Sequence, residues 1–135
     1  MAEHLFYVSL KYTRAADVIM NLTQRWEKMI DLCIELLLRK AKKNKKIKEV
    51  PIAPKIREST VRKFYKDELV AQVMDLYALF RRIPILEHFK EQEFRKNVTL
   101  RVIDGKEISI NMDKLKEWNA VLENFIKYIR HQAGK

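Results

Sequence analysis

His88 follows Arg82 by six positions in the run Arg81-Arg82-Ile83-Pro84-Ile85-Leu86-Glu87-His88. On a helical segment the two side chains could face one phosphodiester, the imidazole carrying a proton and the guanidinium stabilising the developing charge. Little else in the chain is arranged for catalysis. His4, His88 and His131 are far apart, and none has a second His three or four positions away, so the close ligand spacing of a metal site is missing. Gly105 and Gly134 are the only glycines and neither joins a strand to a helix, which leaves no phosphate-cradling loop. No Gly-x-Ser-x-Gly elbow and no Cys/His pair is visible. Carboxylates mostly stand three or four positions from Lys or Arg, as Glu117 does from Lys114 and Asp67 from Lys63, the spacing of a solvated helix face rather than of an acid/base pair. No cofactor and no metal are expected, and any hydrolysis by Arg82 and His88 would be metal-independent.

The distribution of charge is more informative. The chain carries 28 basic and 18 acidic residues, a net charge of +10. Twelve of the basic residues fall between positions 39 and 66: Arg39, Lys40, Lys42, Lys43, Lys45, Lys46, Lys48, Lys55, Arg57, Arg62, Lys63 and Lys66. Only Glu49 and Glu58 oppose them there, so this window holds the whole excess and the rest of the chain, with 16 basic and 16 acidic residues, is neutral. A helix C-terminus favours nearby cations and accounts for two or three lysines, but not for the excess. Such a pole is expected to neutralise phosphates with little base specificity. Phe64 and Tyr65 lie within it; exposed, they could stack on bases, yet both also fit an apolar core stripe. An anionic membrane is a weaker match, because the lysine cluster has only Ile47 to insert, and no apolar stretch approaches the roughly 18 residues of a span.

A family resemblance joins these two features. The plan of long helices with a short hairpin before the last one resembles the HEPN superfamily of small helical bundles. Some of its members are ribonucleases with an Arg-x(4–6)-His motif, which the Arg82 to His88 spacing matches. Two further stretches are similar to segments of uncharacterised archaeal HEPN-like proteins: Ser9-Leu10-Lys11-Tyr12-Thr13-Arg14-Ala15-Ala16-Asp17-Val18-Ile19, and Glu93-Phe94-Arg95-Lys96-Asn97-Val98-Thr99-Leu100. The resemblance implies a helical bundle that is a binding module or antitoxin partner, or else a ribonuclease or toxin working with a nucleotidyltransferase or antitoxin partner. The basic pole adds the expectation that a binding module would take RNA or a ribonucleoprotein surface. Ile83 stands where a polar residue often follows the motif arginine, and Pro84 interrupts the helix that would present the pair. The expectation is therefore a non-catalytic binder using the pole, with catalysis by Arg82 and His88 as the alternative.

These residues need elements to hold them. Apolar residues at Ala15, Val18/Ile19, Leu22, Trp26, Met29/Ile30, Cys33, Ile34 and Leu37 recur at spacings of three and four, which predicts a long amphipathic helix from about Tyr12 to Arg39. If it outruns its intramolecular cover, a homodimer along it is expected. Prolines 51 and 54 make 44–58 a linker. Ser59 or Thr60 can cap a second helix carrying Val61, Phe64, Tyr65, Leu69, Val73, Leu76, Tyr77, Phe80 and Ile83, stopped by Pro84. Ile85, Leu86, Phe89 and Phe94 predict a short helical segment. Around Asp104-Gly105 two alternating β-rich runs predict a hairpin. A two-residue loop would put their apolar residues on opposite faces. A three-residue loop, Ile103-Asp104-Gly105, instead pairs Leu100 with Ile108, Val98 with Ile110 and Arg101 with Glu107. Asn111 or Asp113 can cap a last helix with its stripe at Leu115, Trp118, Val121/Leu122, Phe125/Ile126 and Ile129.

The fold class expected is thus mostly α: one domain over 1–135, three long helices, a short one and a hairpin between the penultimate and last helices. The single cysteine, Cys33, excludes an internal disulfide. With an acidic residue, Glu3, where a signal peptide wants basic ones, this points to a cytoplasmic protein.

Overall fold

In the computed structural model, residues 16–86, 88–91 and 99–133 are described. They form α1 (Ala16–Lys43), α2 (Pro54–Phe64), α3 (Glu68–Arg82), a 3-10 turn (Ile83–Ile85), β1 (His88–Glu91), β2 (Thr99–Ile103), β3 (Glu107–Ile110) and α4 (Met112–Ala133). The chain is mostly helical, with a hairpin just before the last helix, as its periodicity predicts. No helix among the described residues is long and apolar enough to cross a membrane. The chain divides into two compact units, one comprising residues up to Glu27 with Leu79–Ala120, the other Lys28–Ala78 with Val121 onward.

Three local features differ from expectation. First, the predicted second helix is two helices. Pro54 occupies the first turn of α2, where its missing N–H costs nothing. Ser59 and Thr60 are internal and turn their hydroxyls to the carbonyl of Ile56 (3.0 and 2.7 Å) instead of capping. The chain breaks at 65–67, where the Asp67 carboxylate accepts the amide of Leu69 at 2.8 Å and starts α3. The linker accordingly shortens to 44–53. Second, the segment after Pro84 is not helical beyond one 3-10 turn. Leu86 is extended (φ −83, ψ 149), and His88–Glu91 joins β2 as an antiparallel strand, giving the sheet order β1-β2-β3. Phe94 and Val98 lie outside the described residues.

Third, the hairpin loop has three residues as expected, but they are Asp104, Gly105 and Lys106, because Ile103 pairs with Glu107. Leu100 then faces Ile110 and Val102 faces Ile108. The register differs from the predicted one by two positions in the partner strand, which preserves sidedness because strand side chains alternate with period two. Leu100, Val102 and Ile110 are accordingly buried. Arg101 meets Glu107 diagonally at 3.2 Å while its direct partner is Ser109. Gly105 has φ +74, a region that β-branched residues resist.

The first unit buries Leu22, Trp26, Phe80 and Trp118. Phe80 bridges the two indoles, its centroid 5.9 Å from that of Trp26 and 5.3 Å, edge-on, from that of Trp118. Gln24 donates to the carbonyl of Phe80 at 3.0 Å. The second unit buries Ile30, Ile34, Leu37, Leu38, Val61, Val73, Met74, Tyr77 and Phe125, the inner stripes of its helices. Asn111 caps α4 by accepting the amide of Lys114 at 2.9 Å.

Candidate nucleic-acid interface

All twelve cations of the basic window belong to the second unit. The structure separates them by residue type. Arg57 is buried, 8% exposed, and works as a clamp. Its Nη1 donates to Glu35 at 2.8 Å and to the carbonyl of Pro51 at 3.1 Å, and its Nη2 to the carbonyl of Asp31 at 3.2 Å. Its Nε lies 3.3 Å from Asp31 Oδ1, close enough for an ion pair though not aligned as a hydrogen bond. Arg39 donates to the same Glu35 at 3.1 Å. Hydrogen bonds from Arg57 and Arg39 hold the Glu35 carboxyl below the usual carboxylate range. Arg62 binds Glu58 at 3.1 Å and Asp75 at 2.7 Å. A planar fork of donors suits these multi-acceptor sites, whereas an ammonium is a hydrated point charge. Arg57 and Arg62 are therefore compensated structural groups, while the exposed Arg39 makes one surface pair, with Glu35.

The nine lysines are different. Lys42, Lys43, Lys45, Lys46, Lys48, Lys55 and Lys66 are exposed and make no ion pair among the described residues. Lys63 sits 5.4 Å over the Phe64 ring, and Lys40 donates to the carbonyl of Gln132 at the end of α4. Within the window only Glu49 remains to oppose the nine, since Glu58 is engaged with Arg62.

The backbone concentrates five of these lysines at one helix end. Lys46 N–H bonds the carbonyl of Ala41 (2.9 Å) and Lys45 N–H that of Lys42 (3.0 Å), with Lys45 left-handed at φ 60. This is the Schellman arrangement, at whose left-handed position glycine is the usual residue. Here a lysine holds it, against a backbone preference of roughly 1 kcal/mol. Lys40, Lys42 and Lys43 in the last turn of α1 also face the negative end of its dipole.

Phe64 and Tyr65 are half-buried. The Tyr65 hydroxyl donates to the carbonyl of Leu37 at 2.8 Å, and burial pushes its pKa up. Neither ring is an open stacking platform. Beside the lysines, the ends of α1 and α4 enclose an open groove of about 350 Å³, with Leu36, Leu37 and Ile129 as its apolar lining and Arg39, Lys40, Lys43, Asn44 and Gln132 as its polar one. Sequence reasoning missed this groove because its walls come from segments some ninety residues apart, as the Lys40 to Gln132 separation of 92 shows. One signal was present: Leu36-Leu37-Leu38 spans more of a helix circumference than one neighbour covers.

Arg82 and His88 belong to the other unit. Arg82 ends α3 and its Nη2 is held by Asp104 at 2.6 Å, while His88 opens β1, so no single helix presents both. The His88 side chain and all of His4 lie outside the described residues. His131 is exposed in the last turn of α4. Among the described residues no three His, Cys, Asp or Glu side chains gather as a metal would require. Cys33 is buried, and burial raises its thiol pKa, which keeps it from being a reactive thiolate. No family model matches this chain, and no curated protein or solved structure is significantly similar to it.

Proposed function

We propose that this chain is a non-catalytic, HEPN-like helical domain that binds RNA, free or on a ribonucleoprotein surface, through the lysines of its basic pole. The observation that carries the proposal is the division of labour in the window. Arg57 and Arg62 are neutralised by Asp31, Glu35, Glu58 and Asp75 and Arg39 pairs with the same Glu35, while seven lysines stand exposed without a carboxylate among the described residues. Like charges this dense repel one another, and a polyanion relieves that repulsion by releasing its own counterions. Lysine point charges without an open aromatic platform suit phosphate contacts, which position a backbone without reading its bases. Lys45 in a glycine position supports the same view, because the chain forgoes backbone stability to keep a cation there.

The test is retention of labelled single-stranded RNA oligonucleotides of unrelated sequence on the full chain at low salt, with the RNA recovered and sized. The expected result is similar affinity for all sequences, intact RNA, and the same affinity in His88→Ala. Absence of retention at low salt would overturn the proposal, and cleavage abolished by His88→Ala would replace it with the ribonuclease alternative.

A further inference from the structure

Five large apolar side chains are exposed among the described residues, and four of them, Leu32, Leu36, Ile52 and Ile56, belong to the basic unit. Each is the chain neighbour of a member of the Arg57 clamp: Leu32 of Asp31, Leu36 of Glu35, Ile52 of Pro51 and Ile56 of Arg57 itself. The clamp thus ties together the segments that carry these four side chains, which are 55% to 91% exposed. Single exposed leucines are ordinary, but Leu32 and Leu36 are exposed on successive turns of one helix beside a groove with an apolar wall, and such a patch marks a surface that something covers.

Its shape and charge indicate what. Leu32 and Leu36 stand four positions apart on one face of α1, with Lys28 four positions before and Lys43 seven after, so the stripe reads basic, apolar, apolar, basic. Beside Leu36 the surface turns concave, into the groove whose apolar wall is Leu36, Leu37 and Ile129 and whose rim carries Lys40 and Lys43. A second copy of the chain would bring lysines against lysines whichever way two α1 helices ran, and like-charge juxtaposition opposes pairing. A flat lipid surface has nothing to fill a concavity. An amphipathic helix with acidic ends meets both demands.

We propose that this stripe and groove dock an acidic amphipathic helical segment of another protein. Its apolar residues cover Leu32 and Leu36 and enter the groove, and its carboxylates meet Lys28 at one end and Lys43 at the other, the helix-in-groove mode of recognition.

The experiment is fluorescence anisotropy of the full chain with a labelled synthetic helical peptide bearing two leucines four positions apart and glutamates at both ends. One control peptide carries lysines for the glutamates, the other serines for the leucines. The acidic peptide should bind at least about tenfold more tightly than either control. The double variant Leu32→Ser/Leu36→Ser should lose the same factor while keeping the wild-type helical circular dichroism and RNA affinity, because both leucines are exposed. Undetectable binding of the acidic peptide, or equal binding of the lysine control, would overturn the proposal. So would a wild-type dimer in sedimentation that the double variant dissolves, which would assign the face to a second copy. Retention on phosphatidylserine vesicles lost in the same variant would assign it to lipid, and a parallel fall in RNA affinity would assign it to RNA.

Discussion

Arg57 and Glu35, 22 positions apart in the chain, meet at 2.8 Å and tie the start of α2 to the third quarter of α1. The guanidinium is buried while the carboxylate is partly open to solvent. The same guanidinium reaches two backbone carbonyls, so it closes the 44–53 linker against the helix it left and fixes where the lysines of that linker are displayed.

Removing this clamp should be costly. Arg57→Met fills part of the space but leaves the carbonyls of Asp31 and Pro51 without their donor, and a loss of about 2 kcal/mol is expected. Arg57→Lys should recover less than half of it, since a single ammonium cannot reproduce a planar fork that donates to three separate acceptors. Urea unfolding of the three proteins measures both differences.

Acid should weaken the same ion pair. The folded-state pKa of Glu35 lies below its ordinary value of 4.5, so its contribution to stability is complete above that value and is lost as pH falls through the lower folded pKa. Glu35→Gln should therefore lower the melting temperature at neutral pH and leave a smaller residual fall on acidification than the wild type shows, in thermal scans across the acidic range.

Lys45 offers a change of opposite sign. Lys45→Gly relieves the left-handed strain at φ 60 and should stabilise the protein by roughly 0.5 to 1 kcal/mol. The same substitution removes a cation from the pole, so its RNA affinity should fall as its melting temperature rises. Calorimetry and an RNA titration of one variant read the two effects together.

In the hairpin, Gly105→Val should destabilise by about 1 kcal/mol or more. Open space surrounds the Cβ position, so the cost comes from the φ of +74 and not from a clash. Ile110→Ala should exceed Ile108→Ala, because Ile110 is fully buried and Ile108 only partly. Denaturant midpoints of the three variants give the ranking.

The features legible in the sequence were those carried by local periodicity or by a single strong turn residue. The stripes of α1 and α4, the cap at Asn111 and the Asp104-Gly105 turn all belong to this class. The errors arose where two local signals competed. Tyr65 to Leu69 continues the helical spacing and hides the break that the Asp67 side chain makes. The parity of the hairpin was legible because both apolar sets must share a face, whereas its shift by two was not, because that slip leaves every side chain on the same side. His88–Glu91 became a strand through pairing with β2, which no window around it contains. For the pole, the charge count identified the segment but lumped arginine with lysine. Asp31, Glu35 and Asp75, which neutralise the arginines, lie outside the window and could be assigned only once α1 and α3 were placed beside α2.

The central claim, that the lysines at the end of α1 hold RNA phosphates, is tested most directly by the salt dependence of RNA binding in Lys42→Gln/Lys43→Gln/Lys45→Gln/Lys46→Gln. Folding should change little, since all four side chains are exposed and make no ion pair among the described residues. The slope of log K against log salt should become shallower by roughly 2 to 3 for a single strand, about 0.7 for each phosphate that the variant no longer neutralises. A slope and affinity equal to the wild type's, in a folded variant, would contradict it.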